Sequence, residues 1–206
     1  MTSRTGPQHR HRAPASGQQG NEHLTAMTGA VLLAGFAVEA VTILELHRFM
    51  WLHFVVGFLL IGPVALKIGS TLYRFARYYA RSAPYVRKGP PAPLSRVLGP
   101  LVICTSVAVL GTGVALAFAG PGPGNWLFLH KASFVVWFGV MTVHVLTYAP
   151  RLPRLLRRGR DPSRPGPSAA AGGAVRWLAL GTALAAGVLV AAATMHLSGQ
   201  WSAGLH

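Results

Sequence analysis

The chain has 206 residues, of which 51% are apolar and only 11% charged, and its net charge is +15. A soluble single domain is excluded: the mean hydropathy is +0.42, and the charges are gathered into a few short segments instead of being spread over a surface. The basic excess lies in connections beside apolar stretches, where anionic lipid headgroups attract each Lys or Arg by about 1 kcal/mol, so the patterning points to lipid and away from nucleic acid.

Residues 1–24 are polar and basic, with too few apolar side chains to fold alone, and are predicted to be a disordered cytoplasmic tail. Five apolar stretches follow, over residues 25–46, 49–70, 97–120, 126–149 and 174–197. Each is long enough to cross a hydrocarbon layer of roughly 30 Å as a helix. The first is too long for the apolar region of a cleaved signal and is read as an uncleaved helix. The expected fold is all-α, an integral membrane bundle of five transmembrane helices: a four-helix unit over 25–150 plus one C-terminal helix.

The first two helices nearly abut around Glu45 to Arg48, and Pro121 to Asn125 form a turn before the fourth, so these neighbours run antiparallel. The second helix is expected to continue over residues 71–80 into the headgroup region, anchored by Tyr73, Arg74, Arg77, Tyr78 and Tyr79. Residues 151–173 read as a basic flexible linker that tethers the fifth helix loosely. That helix carries Gly181 with Ala185, and Ala183, Gly187 and Ala191, at the four-residue spacings of close helix packing. It reads as a packing helix appended to the bundle, and residues 198–206 as a short extracytoplasmic tail.

Orientation follows from counting basic residues, which are held on the cytoplasmic side. Sixteen of the 19 Lys and Arg lie before the first helix and in the second-to-third and fourth-to-fifth connections. Only Arg48 and Lys131 lie beside the opposite helix ends. The expectation is a multi-pass protein of the cell membrane, N-terminus in and C-terminus out.

Cys104 is the only cysteine, which rules out an internal disulfide, a CxxC metal knuckle and covalent CxxCH haem attachment. Any haem would be b-type. Ionisable residues inside a span are expensive and mark function, and here they are Glu39, His53, Lys67, His130 and His144. His130 and His144, fourteen residues apart, stand ~21 Å apart along one helix and within ~40° of one face. The second and fourth helices run in the same direction, and His53 and His130 are each the fifth residue of their span. Two imidazoles facing each other at one depth are the ligand pair of a low-spin electron-transfer haem.

Where a partner for His144 is expected, fourteen residues after His53, the chain has Lys67. Lys67 can act as a nitrogen ligand, as an ion-pair partner for a haem propionate or quinone, or simply snorkel to the headgroups. His47 lies about 120° from His53 around the helix, so the two cannot serve one haem unless the helix starts between them, and His53 is preferred as the deeper. Glu39 lies at comparable depth and is read as an outer hydrogen-bond partner for a ligating imidazole. Gly57, Gly111 and Gly113 are places where a macrocycle could approach the backbone.

The segments LHRFMWLHFVVGFLL and LHKASFVVWFGVMTVH, carrying His53, His130 and His144, resemble those of prokaryotic transmembrane b-type cytochromes over about residues 25–150. With the LKIGSTLYRFARYY stretch they are also similar to uncharacterised actinobacterial membrane proteins. The resemblance implies a four-helix bundle with His-ligated haem b passing electrons between a quinone and a redox partner subunit outside the membrane. It implies two haems, and Lys67 at the fourth ligand position departs from that pattern, leaving one haem, with a second conditional on His144 and Lys67. No nucleotide or flavin motif accompanies the helices, so an electron-transfer subunit is favoured over a self-contained enzyme. Two alternatives stay open: a non-haem metal site using Glu39, His53 and His130, and a scaffold or assembly protein without redox activity.

Overall fold

The computed structural model describes residues 16–82, 93–153 and 167–202. Among these there are helices and no strands: α1 (Ser16–Leu44), α2 (Leu46–Tyr79), α3 (Pro93–Ala119), α4 (Trp126–Tyr148), α5 (Pro167–Thr194) and a short α6 (Ser198–Ser202), with single 3₁₀ turns after α4 and α5. The first five each contain a stretch long and apolar enough to cross a membrane. Their outward side chains are those that only lipid accommodates, with Val135 68%, Leu146 72% and Leu189 70% exposed. The chain is an all-α, multi-pass membrane protein.

The helix boundaries differ from expectation mainly at the N-terminal end. α1 begins at Ser16, so residues 16–24, expected in the tail, are helical. The physical reason is a tie to α2: Asn21 Nδ2 donates to the Ser70 carbonyl and Thr25 Oγ1 to Ser70 Oγ, both at 3.1 Å. α2 continues through the Tyr- and Arg-rich segment to Tyr79, as its interfacial anchors imply. Of the expected linker, residues 154–166 lie outside the described residues, as do 1–15 of the tail and 203–206 of the C-terminal segment. Residues 167–173 already belong to α5, and 198–202 form α6.

Two sub-bundles build the protein: α2 packs chiefly on α5 and α1, and α3 on α4. Contact between α2 and α3 is slight by comparison. The aromatic ring of Trp137 on α4 is buried, donates Nε1–H to Ser106 Oγ on α3 at 3.1 Å, and meets Phe36 of α1 edge-on at 4.8 Å. Phe36 and Trp137 thus link the two halves at mid-depth.

The small-residue spacings of the fifth helix mark a close packing face, and the helix it packs on is α2. Pro63 in α2 has no N–H, so the Leu59 carbonyl lacks its ordinary helical donor. Gly187 of α5 packs directly on that carbonyl, while Gly62 of α2 packs on the carbonyl of Ala183; a Cβ at either glycine would overlap the opposing backbone. Reciprocal glycine-on-carbonyl contact of this kind lets two helix axes approach closely and admits Cα–H···O interactions. Further along, Ala191 is buried against Phe58 and Ala117.

Candidate functional site

α1 and α2 are joined by a tight turn in which the Arg48 and Phe49 N–H groups both donate to the Glu45 carbonyl at 3.0 Å. Phe49 departs from helical geometry, with φ −111° and ψ 21°. The regular helix that carries His53 therefore starts one turn before it, and His47, exposed on the turn side, lies off the site. His53, and not the exposed His47, is the residue whose ring faces His130.

His53 is held from α1. Its Nδ1–H donates to Glu39 Oε2 at 2.6 Å, and the side chains of His53 and Glu39 are 26% and 12% exposed. Thr42, fully buried and one turn beyond Glu39, places Oγ1 2.9 Å from the same carboxylate oxygen and 3.2 Å from His53 Nδ1. A carboxylate on Nδ1 fixes the ring and leaves the Nε2 lone pair for a metal. Gly57 leaves the space that Glu39 fills: a Cβ there would lie 3.3 Å from Glu39 Oε1. Gly57 therefore accommodates the carboxylate, and it also lines the cavity that the two imidazoles share.

His130 is held from α3 in the same way by a hydroxyl. Thr112 Oγ1 donates to the Ala108 carbonyl at 2.7 Å, so its lone pairs accept, and His130 Nδ1 stands 3.3 Å away. Ser133, one turn after His130, closes the network at 2.9 Å from Thr112 Oγ1. The tautomer that satisfies these bonds again leaves Nε2 as the basic nitrogen. Gly113 faces the ring, with a notional Cβ only 3.0 Å from His130 Cε1, whereas Gly111 faces open space.

The two imidazoles confront each other across a gap between α2 and α4, with ring centroids 6.5 Å apart and planes at 65°. Two metal–nitrogen bonds of about 2.0–2.1 Å, plus ~1.1 Å from each nitrogen to its ring centre, would set coaxial rings about 6.3 Å apart. The observed separation suits one metal ion between the pair. Both rings line a cavity of about 290 Å³ whose walls are otherwise mostly apolar, including Phe54, Val114, Leu127 and Phe134. Lys131 and Trp201 line it as well, and Trp201 Nε1 is buried with no hydrogen-bond partner.

No protein-family model, curated protein or solved structure matches the chain.

Among the described residues no three His, Cys, Asp or Glu side chains converge as a metal site. The Glu39, His53 and His130 set does not assemble as ligands, because Glu39 is bound to Nδ1 of His53, on the ring edge away from Nε2. Lys67 and His144 lie together elsewhere, on the walls of a second cavity of about 180 Å³. Sequence reasoning found Glu39, His53 and His130 but missed Thr42, Thr112, Ser133 and Trp201. Thr42 and Ser133 carried a signal, since each stands three residues from a named site residue.

Proposed function

We propose that this protein is a membrane electron-transfer subunit that holds one haem b between His53 and His130. The observation that carries the reading is the opposed imidazole pair, each ring oriented through Nδ1 from a neighbouring helix and each lining one apolar cavity. A planar tetradentate macrocycle leaves two positions on its iron, and two imidazoles are the set that fills them, so a third protein ligand is not needed. Bound there, haem would supply a one-electron iron couple inside the bilayer. Glu39 orients His53 through a stronger hydrogen bond than Thr112 gives His130, since a carboxylate accepts more strongly than a hydroxyl. With the N-terminus inside, as the basic bias implies, the pair lies toward the outer face, and the relay joins a quinone in the membrane to a redox partner outside it.

The test is the purified, detergent-solubilised chain examined by reduced-minus-oxidised visible spectra, haem extraction and metal analysis. Sharp b-type bands at one haem per chain are expected. A colourless protein carrying stoichiometric iron or zinc would replace the reading with a non-haem site, and a colourless, metal-free protein would end it. Glu39→Ala should lower haem affinity by about 10–100-fold, the usual effect of removing the partner that orients a ligating histidine. Haem retention during dilution of the purified protein measures it, and unchanged retention would contradict the role given to Glu39.

A further inference from the structure

α6 lies across the join between the two sub-bundles. It packs on α2, and its Gln200 reaches α3, where Nε2 donates to the Ala117 carbonyl at 3.1 Å. Direct contact between α2 and α3 is slight, and the cavity shared by His53 and His130 is walled by both, with Phe54 and Phe58 from one and Gly113 and Val114 from the other. Trp201, the residue after Gln200, belongs to the same wall. A five-residue helix thus bridges the two halves and supplies part of the cavity lining.

The contact with α3 is shaped on both sides. The Ala117 carbonyl is among the last four of its helix, and the residue four further on is Pro121, which has no N–H to give it. Gln200 supplies the missing donor. Gly120 follows with φ +73°, a conformation glycine adopts readily, and a Cβ there would stand 2.9 Å from Gln200 Oε1.

The same contact is built to be broken. Gln200 is exposed, so water competes for the carbonyl it holds. Ala191 and Leu197 pack with Phe58 and Ala117, which fixes the end of α5, and the single 3₁₀ turn Met195–Leu197 separates α6 from it. A 3₁₀ turn inside a helical run is a place where helices hinge. Trp201 Nε1 is buried with no hydrogen-bond partner while α6 is docked. That penalty is relieved when the indole swings out to the membrane interface, where its N–H meets water or lipid oxygens.

We propose that α6 is a gate on the cavity, latched by Gln200 on the Ala117 carbonyl, whose opening swings Trp201 out of the wall and admits the ligand. Loading of haem through this gate rests on the electron-transfer reading, whereas the opening itself does not.

The experiment labels a thiol placed in the cavity wall. In a Cys104→Ser background, which removes the chain's one cysteine, Val114→Cys in lipid nanodiscs is reacted with the water-soluble reagent 2-(trimethylammonium)ethyl methanethiosulfonate and followed by mass spectrometry. Slow labelling is expected, accelerated about fivefold by Gln200→Ala, the effect of losing one exposed hydrogen bond. Gly120→Ala should accelerate it as well, because its Cβ meets Gln200 Oε1. Val102→Cys, on the wall of the second cavity, is the control and should label at one rate with or without Gln200→Ala, which separates local opening from general loosening. Labelling as expected in a protein that takes up no haemin would end the electron-transfer reading and still support the gate. Where haemin binds, it should enter and leave the Gln200→Ala protein faster by similar factors, so that affinity stays near the parent's. Unchanged labelling of Val114→Cys in both latch variants would overturn the gate. So would equal acceleration at Val102→Cys, or haemin that leaves Gln200→Ala faster but enters no faster.

Discussion

The His130→Ala protein is expected to insert and fold, yet to lose the b-type visible spectrum, with haem content falling by more than tenfold. Folding survives because α4 is held by contacts that do not involve the imidazole: Trp137 to Ser106, Trp137 against Phe36, and the broad packing of α4 on α3. The spectrum is expected to be lost because one of the two imidazoles that would hold the haem is gone and the cavity offers no replacement. Glu39 is bound to His53, and Lys131 is exposed at the cavity edge. Far-UV circular dichroism and absorbance per mole of chain check both halves of the expectation. Free imidazole added to the His130→Ala protein should restore low-spin bands, since Gly113 and Thr112 leave a ring-sized space with a hydrogen-bond partner in place. His47→Ala should retain the bands, because His47 is exposed and lies off the site. Unchanged bands in His130→Ala would rule out the assignment.

The five membrane helices were legible because a bilayer leaves the backbone no partner but itself, so span length and apolarity set the elements directly. The pairing of His53 with His130 was legible for a related reason: two helices running in the same direction share a depth scale, and both residues stand fifth from the start. The hydroxyl partners were less so. Thr105, Thr142 and Thr147 all donate to their own helix four residues back, as hydroxyls in membrane helices commonly do. Thr112 does the same, and nothing in the sequence distinguishes the one whose lone pair also meets His130. Lys67 and His144 were expected to face each other and do line one cavity, but their Thr25 and Tyr148 contacts depend on helix rotations that spacing does not fix. The role of α5 was hidden most deeply. A stripe of small residues announces close packing without naming the partner, and that partner was selected by Pro63, which deprives the Leu59 carbonyl of its helical N–H.

Gly187→Leu should therefore be among the most damaging single substitutions in the chain, although Gly187 does not line the cavity that His53 and His130 share. A Cβ at this position overlaps the Leu59 carbonyl oxygen and stands 3.0 Å from its carbon and 3.2 Å from its Cα. These are backbone atoms that cannot rotate aside, so the helices must part. Overpacking a side-chain contact costs about 1–3 kcal/mol, and a backbone-on-backbone overlap belongs at or above the top of that range. Separation of α5 from α2 withdraws Ala191 from Phe58 and, with α6, draws Trp201 from the cavity wall that His53 and His130 share. A lowered thermal midpoint in nanodiscs and a reduced haem content should accompany each other. Even Gly187→Ala should show much of the effect, because the overlap arises at Cβ. Gly181→Leu, on the same helix, is the control: a Cβ there meets nothing within 4 Å, so its midpoint should match the parent's. Equal loss in both leucine variants would point to bulk on α5 in general, and a parental midpoint in Gly187→Leu would show that the Gly62–Gly187 crossing does not hold α2 in place.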